Sequence, residues 1–140
     1  MPAISRWELQ ALANEKAADA ELLFRHGRFS NTYYLFGYSV EIALKACVAK
    51  LFVADALPDR QTVNRIFTHN LEDLMRLTGL GSELEAQARR SPEFDGSWTI
   101  VVQWSEQARY MMTDEPKCSE LRNAVLDEYH GVLQWLTNHW

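Results

Sequence analysis

The sequence predicts an all-α protein, an up-and-down bundle of about five helices organised around a long central antiparallel pair. Three observations carry this expectation. Residues 29–52 (FSNTYYLFGYSVEIALKACVAKLF) are apolar on nearly every side at helical spacing, the pattern of a helix buried at the centre of a bundle. The stretch before it, from Ser5, repeats Leu and Ala at the same period. The β-branched run at 98–104 (WTIVVQW) has no partner strand elsewhere in the chain.

Taken in order, the first helix starts at Ser5. Ser5 with Glu8 three residues later forms a capping-box pattern, in which hydroxyl and carboxylate each satisfy an orphan backbone donor. Leu9, Leu12, Ala13, Ala17, Ala20, Leu23 and Phe24 then recur on one side, and Gly27 after His26 supplies the left-handed cap. The alanines allow a neighbouring helix to come close. The second helix starts at Ser30 or Asn31, both good N-caps, and runs to about Ala56, where Pro58 prevents continuation. The short link between the two implies an antiparallel hairpin. Gly37 in mid-helix costs about 1 kcal/mol relative to alanine, and close packing on the alanine face of the first helix is the expected reason.

Residues 57–69 read as an irregular connection with a helical turn near 61–65. A third helix spans Asn70 to Thr78, pointing Leu71, Leu74, Met75 and Leu77 inward, and Gly79 ends it. Residues 82–90 have helical composition, whereas 91–97 (SPEFDGS) read as a loop by their Pro, Gly, Asp and Ser content. The run at 98–104 reads as the start of a helix reaching about Tyr110. Asp114, Glu115 and Pro116 mark the next start, since proline is tolerated in a first turn. The last helix runs from about Lys117 to Asn138, with Leu121, Ala124, Val125, Tyr129, Val132, Leu133 and Leu136 on its apolar side.

The 140 residues are expected to form one domain, long enough to bury a core without disulfides or metal. Apolar residues make up 47% and charged residues 24%, ordinary values for a globular protein. The net charge is −5, which gives no global basic signal for nucleic acid, and DNA is not an expected partner. The excess acid lies in residues 57–140, with eight basic and thirteen acidic side chains; residues 1–56 carry six of each. No run of about 18 apolar residues lacks charges, and the N-terminus has no signal-peptide pattern, so neither membrane association nor secretion is expected. A cytoplasmic location is expected by elimination. Cys47 and Cys118 give neither a metal spacing nor a disulfide framework. The four histidines show no zinc spacing, and the glycines form no phosphate loop, so no metal and no cofactor is expected.

Two groups of polar residues invite a chemical reading. Glu41 and Lys45 stand four residues apart inside the apolar helix, where a buried charge is costly unless paired. Tyr34 and Tyr38 lie on the same side, one and two turns earlier. The bland reading is an ion pair; the sharper one is a polar notch that binds a ligand phosphate. His69 in FTHNLEDL either helps to cap the third helix, with Thr68 or Asn70, or aims into the cleft. Arg109 either stacks on Trp104 or binds phosphate with its planar fork. Tyr34, Tyr38, Glu41, Lys45, His69 and Arg109 are therefore the candidate ligand-binding residues. Arg122, Asn123 and His130 are the candidate catalytic ones, an Arg and a His on one helix that could act on RNA. Seven residues separate Arg122 from His130, which puts them about 80° apart around an ideal helix. Trp135 and Trp140 would serve as exposed anchors if the chain were an interaction module.

The helix run GRFSNTYYLFGYSVEIALKACVAKLF, the THNLEDL element, the ARY segment and a final helix ending VLQWL come in an order that resembles the HEPN domain (higher eukaryotes and prokaryotes nucleotide-binding) over nearly the whole chain. Its most specific piece is GYSVEIALKA, which holds Glu41 and Lys45. The resemblance implies a bundle of about five helices and a homodimer. It implies one of three roles: a metal-independent RNase, a toxin paired with a small nucleotidyltransferase antitoxin, or a non-catalytic module that binds nucleotide or RNA. RNase members carry an Arg, commonly followed by a polar residue, with a His a few residues beyond. Arg122-Asn123 matches the first part, and His130 stands farther away than that pattern has it. The resulting expectation is a nucleotide- or RNA-binding protein with a nucleotidyltransferase partner. An RNase and a dimeric interaction module are its rivals.

Overall fold

A computed structural model describes residues 3–140, and every regular element among them is helical. Eight α-helices are present rather than about five: α1 (Arg6–Arg25), α2 (Phe29–Ala49), α3 (Arg60–Ile66), α4 (Leu71–Thr78), α5 (Gly81–Arg90), α6 (Pro92–Val101), α7 (Glu115–Leu126) and α8 (Val132–Thr137). A 3-10 helix, Glu106–Tyr110, lies between α6 and α7. The larger number comes from short helices where a loop or one long helix was expected.

α1 forms as its local chemistry dictates. Ser5 Oγ accepts from Glu8 N, and Glu8 Oε2 accepts from Ser5 N at 2.7 Å, which closes the capping box. Gly27 takes φ +73° at the other end. Only three alanines of α1 are buried, Ala13, Ala17 and Ala20. They face α2, the most extensively contacted neighbour. Ser39 Oγ of α2 donates to the Ala13 carbonyl at 2.7 Å. Ser39 and Ala13 lie at similar chain distances on either side of the three-residue link, so the two helices run antiparallel.

α2 is the hub, touching α1, α4, α7, α8 and the 3-10 helix. Phe36, Val40, Ala43 and Leu44 are fully enclosed. Burying a side chain the size of Phe36 stabilises by about 2–3 kcal/mol. Gly37 has a different neighbour from the expected one. A Cβ there would lie 2.2 Å from three atoms of the Trp104 ring, so the glycine makes room for an indole rather than for the alanine stripe of α1.

α2 also stops earlier than expected, at Ala49 instead of about Ala56. Its end tightens into i→i+3 bonds, Leu51 N to Val48 O and Phe52 N to Ala49 O. Leu51, Phe52 and Val53 project beyond the core and are exposed. With no surface to pack on, they give the helix no reason to continue. Asp55 then adopts φ +64°, which turns the chain toward Pro58.

The later chain brings two further corrections. Residues 91–97 are not a loop: Ser91 caps α6 by accepting from Phe94 N at 3.1 Å, and Pro92 takes the first turn. The Ser-Pro pair that reads as a breaker is a helix start, anchored by the buried Phe94 against Trp135. That helix ends at Val101, short of Tyr110. The long terminal helix is broken at 127–131. Asp127 Oδ1 accepts from Tyr129 N and His130 N, and Gly131 N bonds back to the Asp127 carbonyl. A Cβ on Gly131 would meet that carbonyl oxygen at 2.5 Å, so the turn needs glycine there. Trp135 and Trp140 are partly buried against the core rather than free anchors. No helix among the described residues is long and apolar enough to cross a membrane.

Candidate functional site

The seam on α2 is set by helical spacing. Tyr34, Tyr38, Glu41 and Lys45 succeed one another at three or four residues and share a side. The Tyr34 and Tyr38 rings stack with centroids 5.8 Å apart and 9° between planes, and the Trp104 ring lies 6.2 Å beyond Tyr34. Burial, and then the Glu41 charge, pushes the Tyr38 phenol above its ordinary value; Tyr34 adds to this and Arg109 opposes it.

Glu41 is 1% exposed, in the middle of α2. Its Oε1 accepts from Lys45 Nζ at 3.0 Å. The same oxygen meets His69 Nδ1 at 2.8 Å. A carboxylate only accepts, so Nδ1 is the protonated nitrogen. Glu41 Oε2 has no hydrogen-bond partner among the described residues. One oxygen thus takes two donors while the other takes none.

His69 reaches this point because it does not cap. Asn70 does that, accepting from Asp73 N at 3.0 Å, while Thr68 Oγ1 accepts from Asn70 N. The imidazole is left to bridge two elements. Its Nε2 stands 3.2 Å from Glu106 Oε2 on the 3-10 helix. Glu106 also holds Arg109, with Nη2 at 3.3 Å. Of the two readings of Arg109, stacking on Trp104 is not the one found; its guanidinium lies over the Tyr110 ring, 5.6 Å from the centroid.

Tyr34, Tyr38, Glu41, His69 and Arg109 therefore gather around one cavity of about 80 Å³, together with Trp104 and Glu106. Lys45 is not one of its walls and bonds to Glu41. Trp104 is 3% exposed, and its Nε1 is the other buried side-chain polar atom without a partner among the described residues. The cavity shares His69, Trp104 and Glu106 with a larger groove of about 360 Å³, lined also by Thr68, Asn70, Ser105 and Gln107. Glu106 is the residue that the sequence reasoning missed. Its signal was local, a Glu three residues before Arg109 in a helical turn.

The candidate catalytic residues are placed differently. Arg122 on α7 is clamped to Glu21 of α1, with Nη2 2.6 Å from Oε1 and Nε bonded to Oε2. Its guanidinium lies 4.8 Å from the Phe24 ring centroid. The clamp lowers the Glu21 carboxyl below its ordinary value and raises the Arg122 guanidinium. Asn123 Oδ1 touches Arg122 Nη1 at 3.5 Å. His130 is not on the helix of Arg122 at all but in the turn after it, beside Asp127. The 80° geometry of a continuous helix does not apply to this pair.

Burial pushes both cysteine thiols up to about 11, so neither is a ready nucleophile. Among the described residues, no three His, Cys, Asp or Glu side chains stand together as a metal site. No family model, no curated protein and no solved structure matches this chain.

Proposed function

We propose that this chain is a HEPN-like nucleotide- or RNA-binding helical protein, a homodimer that partners a minimal nucleotidyltransferase in a toxin–antitoxin or defence system. The observation that carries the binding part is the orphaned Oε2 of Glu41. A buried acceptor left unsatisfied costs about 1–3 kcal/mol, so an ion pair that served stability alone would gain by using both oxygens. Glu41 lines the inner cavity beside the stacked rings, and a buried carboxylate left with one oxygen unpaired there supports a binding role. The stacked Tyr34, Tyr38 and Trp104 rings suit a base. Arg109 and the hydroxyl and amide groups of the outer groove suit the ribose and phosphate. Exposed Leu51, Phe52, Val53 and Leu57 supply apolar surface for the dimer or the partner.

The RNase rival has less support, since Arg122 is occupied by Glu21 and His130 sits past the helix break. The test is a thermal-shift screen of the whole protein with ATP, UTP and a short RNA. A ligand at 100 times its dissociation constant adds about 2.7 kcal/mol, and a clear rise in Tm with one of the three is expected. No shift with any of them removes the binding proposal. RNA cleavage without metal by the wild type, lost in His130→Ala, would restore the RNase.

A further inference from the structure

We infer that the cleft between α3 and α4 binds an aromatic anion, a flat apolar body bearing one carboxylate or phosphate group. The cleft stands apart from the nucleotide reading: it shares no wall with the inner cavity and meets the outer groove only at Thr68. Its volume is about 530 Å³, inside the range of about 300–1,000 Å³ that small-molecule sites occupy. Both of its sides follow from the sequence. Asp59 caps α3 by accepting from Thr62 N at 2.9 Å, and the helix ends at Ile66 without burying any of its residues. Arg65 in its last turn and Phe67 just beyond it are left in solvent, with Phe67 75% exposed. On α4, Asp73, Arg76 and Leu77 stand three and four residues apart and share the side that lines the cleft. Leu77 packs against the core and supplies an apolar floor.

The charges of the cleft leave one cation over. Arg76 is held by its own helix, with Nη1 2.7 Å from Asp73 Oδ1 and Nη2 3.6 Å from Glu72 Oε2. Arg65 forms no ion pair among the described residues. Its planar fork suits a carboxylate or a phosphate, which it meets with two parallel hydrogen bonds. Asp73 is already engaged by Arg76, so the cleft has no comparable partner for a ligand cation. A single exposed phenylalanine is ordinary. Here the ring walls a cleft together with an uncompensated guanidinium and a leucine, and that combination matches a ligand with an apolar face and one anionic end. Arg65, Phe67 and Arg76 are all exposed, so the groups that would hold the ligand are open to it.

The experiment is an amide NMR titration of the whole protein with phenyl phosphate, phenylacetate, inorganic phosphate and benzyl alcohol. An aromatic anion should shift the amides of residues 64–68 and 73–77, and the tighter of the two names the anionic group. Inorganic phosphate lacks the ring and benzyl alcohol lacks the charge; each should bind at least about fivefold more weakly than that anion. Arg65→Gln should weaken binding by about tenfold or more, the loss of a hydrogen bond between charged groups. Phe67→Ala should weaken it by about fivefold, the loss of one aromatic contact. Arg60→Gln makes the same charge change at the start of α3, outside the cleft, and should leave binding unchanged. All three side chains are exposed, so the variants are expected to fold, and their amide spectra check this. The assignment is overturned if neither aromatic anion shifts these amides, or if inorganic phosphate or benzyl alcohol binds as tightly. It is also overturned if Arg65→Gln or Phe67→Ala binds like the wild type, or if Arg60→Gln weakens binding as much as Arg65→Gln. None of these outcomes touches the nucleotide reading, because the titration contains no nucleotide and no RNA.

Discussion

Glu41 and Glu21 are both carboxylates of the α1–α2 hairpin that meet a cation, and they are completed differently. Glu21 uses both oxygens on the Arg122 fork, with Arg25 alongside at 3.4 Å. Glu41 is far more buried, yet it crowds Lys45 and His69 onto one oxygen and leaves the other bare. The first arrangement is saturated and ties two helices together. The second is unsaturated, on a residue that lines a cavity. Burial of a charge alone does not distinguish a clamp from a site; the tally of lone pairs does.

Removing Lys45 should have the largest effect. Lys45→Met withdraws one of two donors from a buried carboxylate and should cost about 3 kcal/mol in urea denaturation. Glu41→Gln/Lys45→Met should lose much less, because no bare charge remains. Equal losses in the single and double variants would remove the pair from the account of stability.

Gly37→Ala comes next. Its Cβ would sit 2.2 Å from the Trp104 ring, which is enclosed and has little room to retreat. Overpacking at about 3 kcal/mol outweighs the ~1 kcal/mol that alanine gains in helix propensity. A net loss of about 2 kcal/mol is expected, and an unchanged urea midpoint would contradict the close packing of the indole.

Glu21→Gln tests the saturated partner, with an expected loss of about 1.5 kcal/mol at neutral pH. The sign with pH is set by its lowered carboxyl. A depressed folded value means that the stabilisation is complete above the ordinary glutamate range near about 4.3. It fades as pH falls through that range toward the folded value. The difference between wild type and Glu21→Gln should therefore shrink as pH is lowered from about 6 to about 3. A constant difference would mean that the clamp does not depend on the carboxylate charge.

Asn70→Ala is the mildest change, about 1 kcal/mol for a lost N-cap. It is informative because Asn70 frees His69 to reach Glu41. Loss of ligand affinity beyond the loss of stability would link the cap to the site. Full affinity in a destabilised variant would separate the two.

These residues also show how far the chain alone was legible. Helix starts at Ser5, Asn70 and Asp114 and stops at Gly27 and Gly79 were readable, because each rests on chemistry within three or four residues. The seam of Tyr34, Tyr38, Glu41 and Lys45 was readable for the same reason. The early end of α2 was not, since it depends on where the core runs out beneath Leu51 and Phe52. The Ser91-Pro92 start was misread because the same residues serve loops and caps. The break after Leu126 rests on the fit of Gly131 against the Asp127 carbonyl, a contact that apolar periodicity does not report. Trp104 under Gly37, and Glu21 on Arg122 across 101 positions, are tertiary facts with no local trace.

The three-residue link between α1 and α2 bears on the order of assembly. Closing so short a loop costs little chain entropy, so the hairpin can form while the ribosome is still adding residues beyond Ala49. The cavity cannot. Its walls come from positions 34 to 109, and the Arg122 clamp arrives later still. A hairpin alone lacks the His69 and Trp104 walls that stand beside Glu41 in the folded chain. The cavity is thus absent from any fragment that ends before the 3-10 helix.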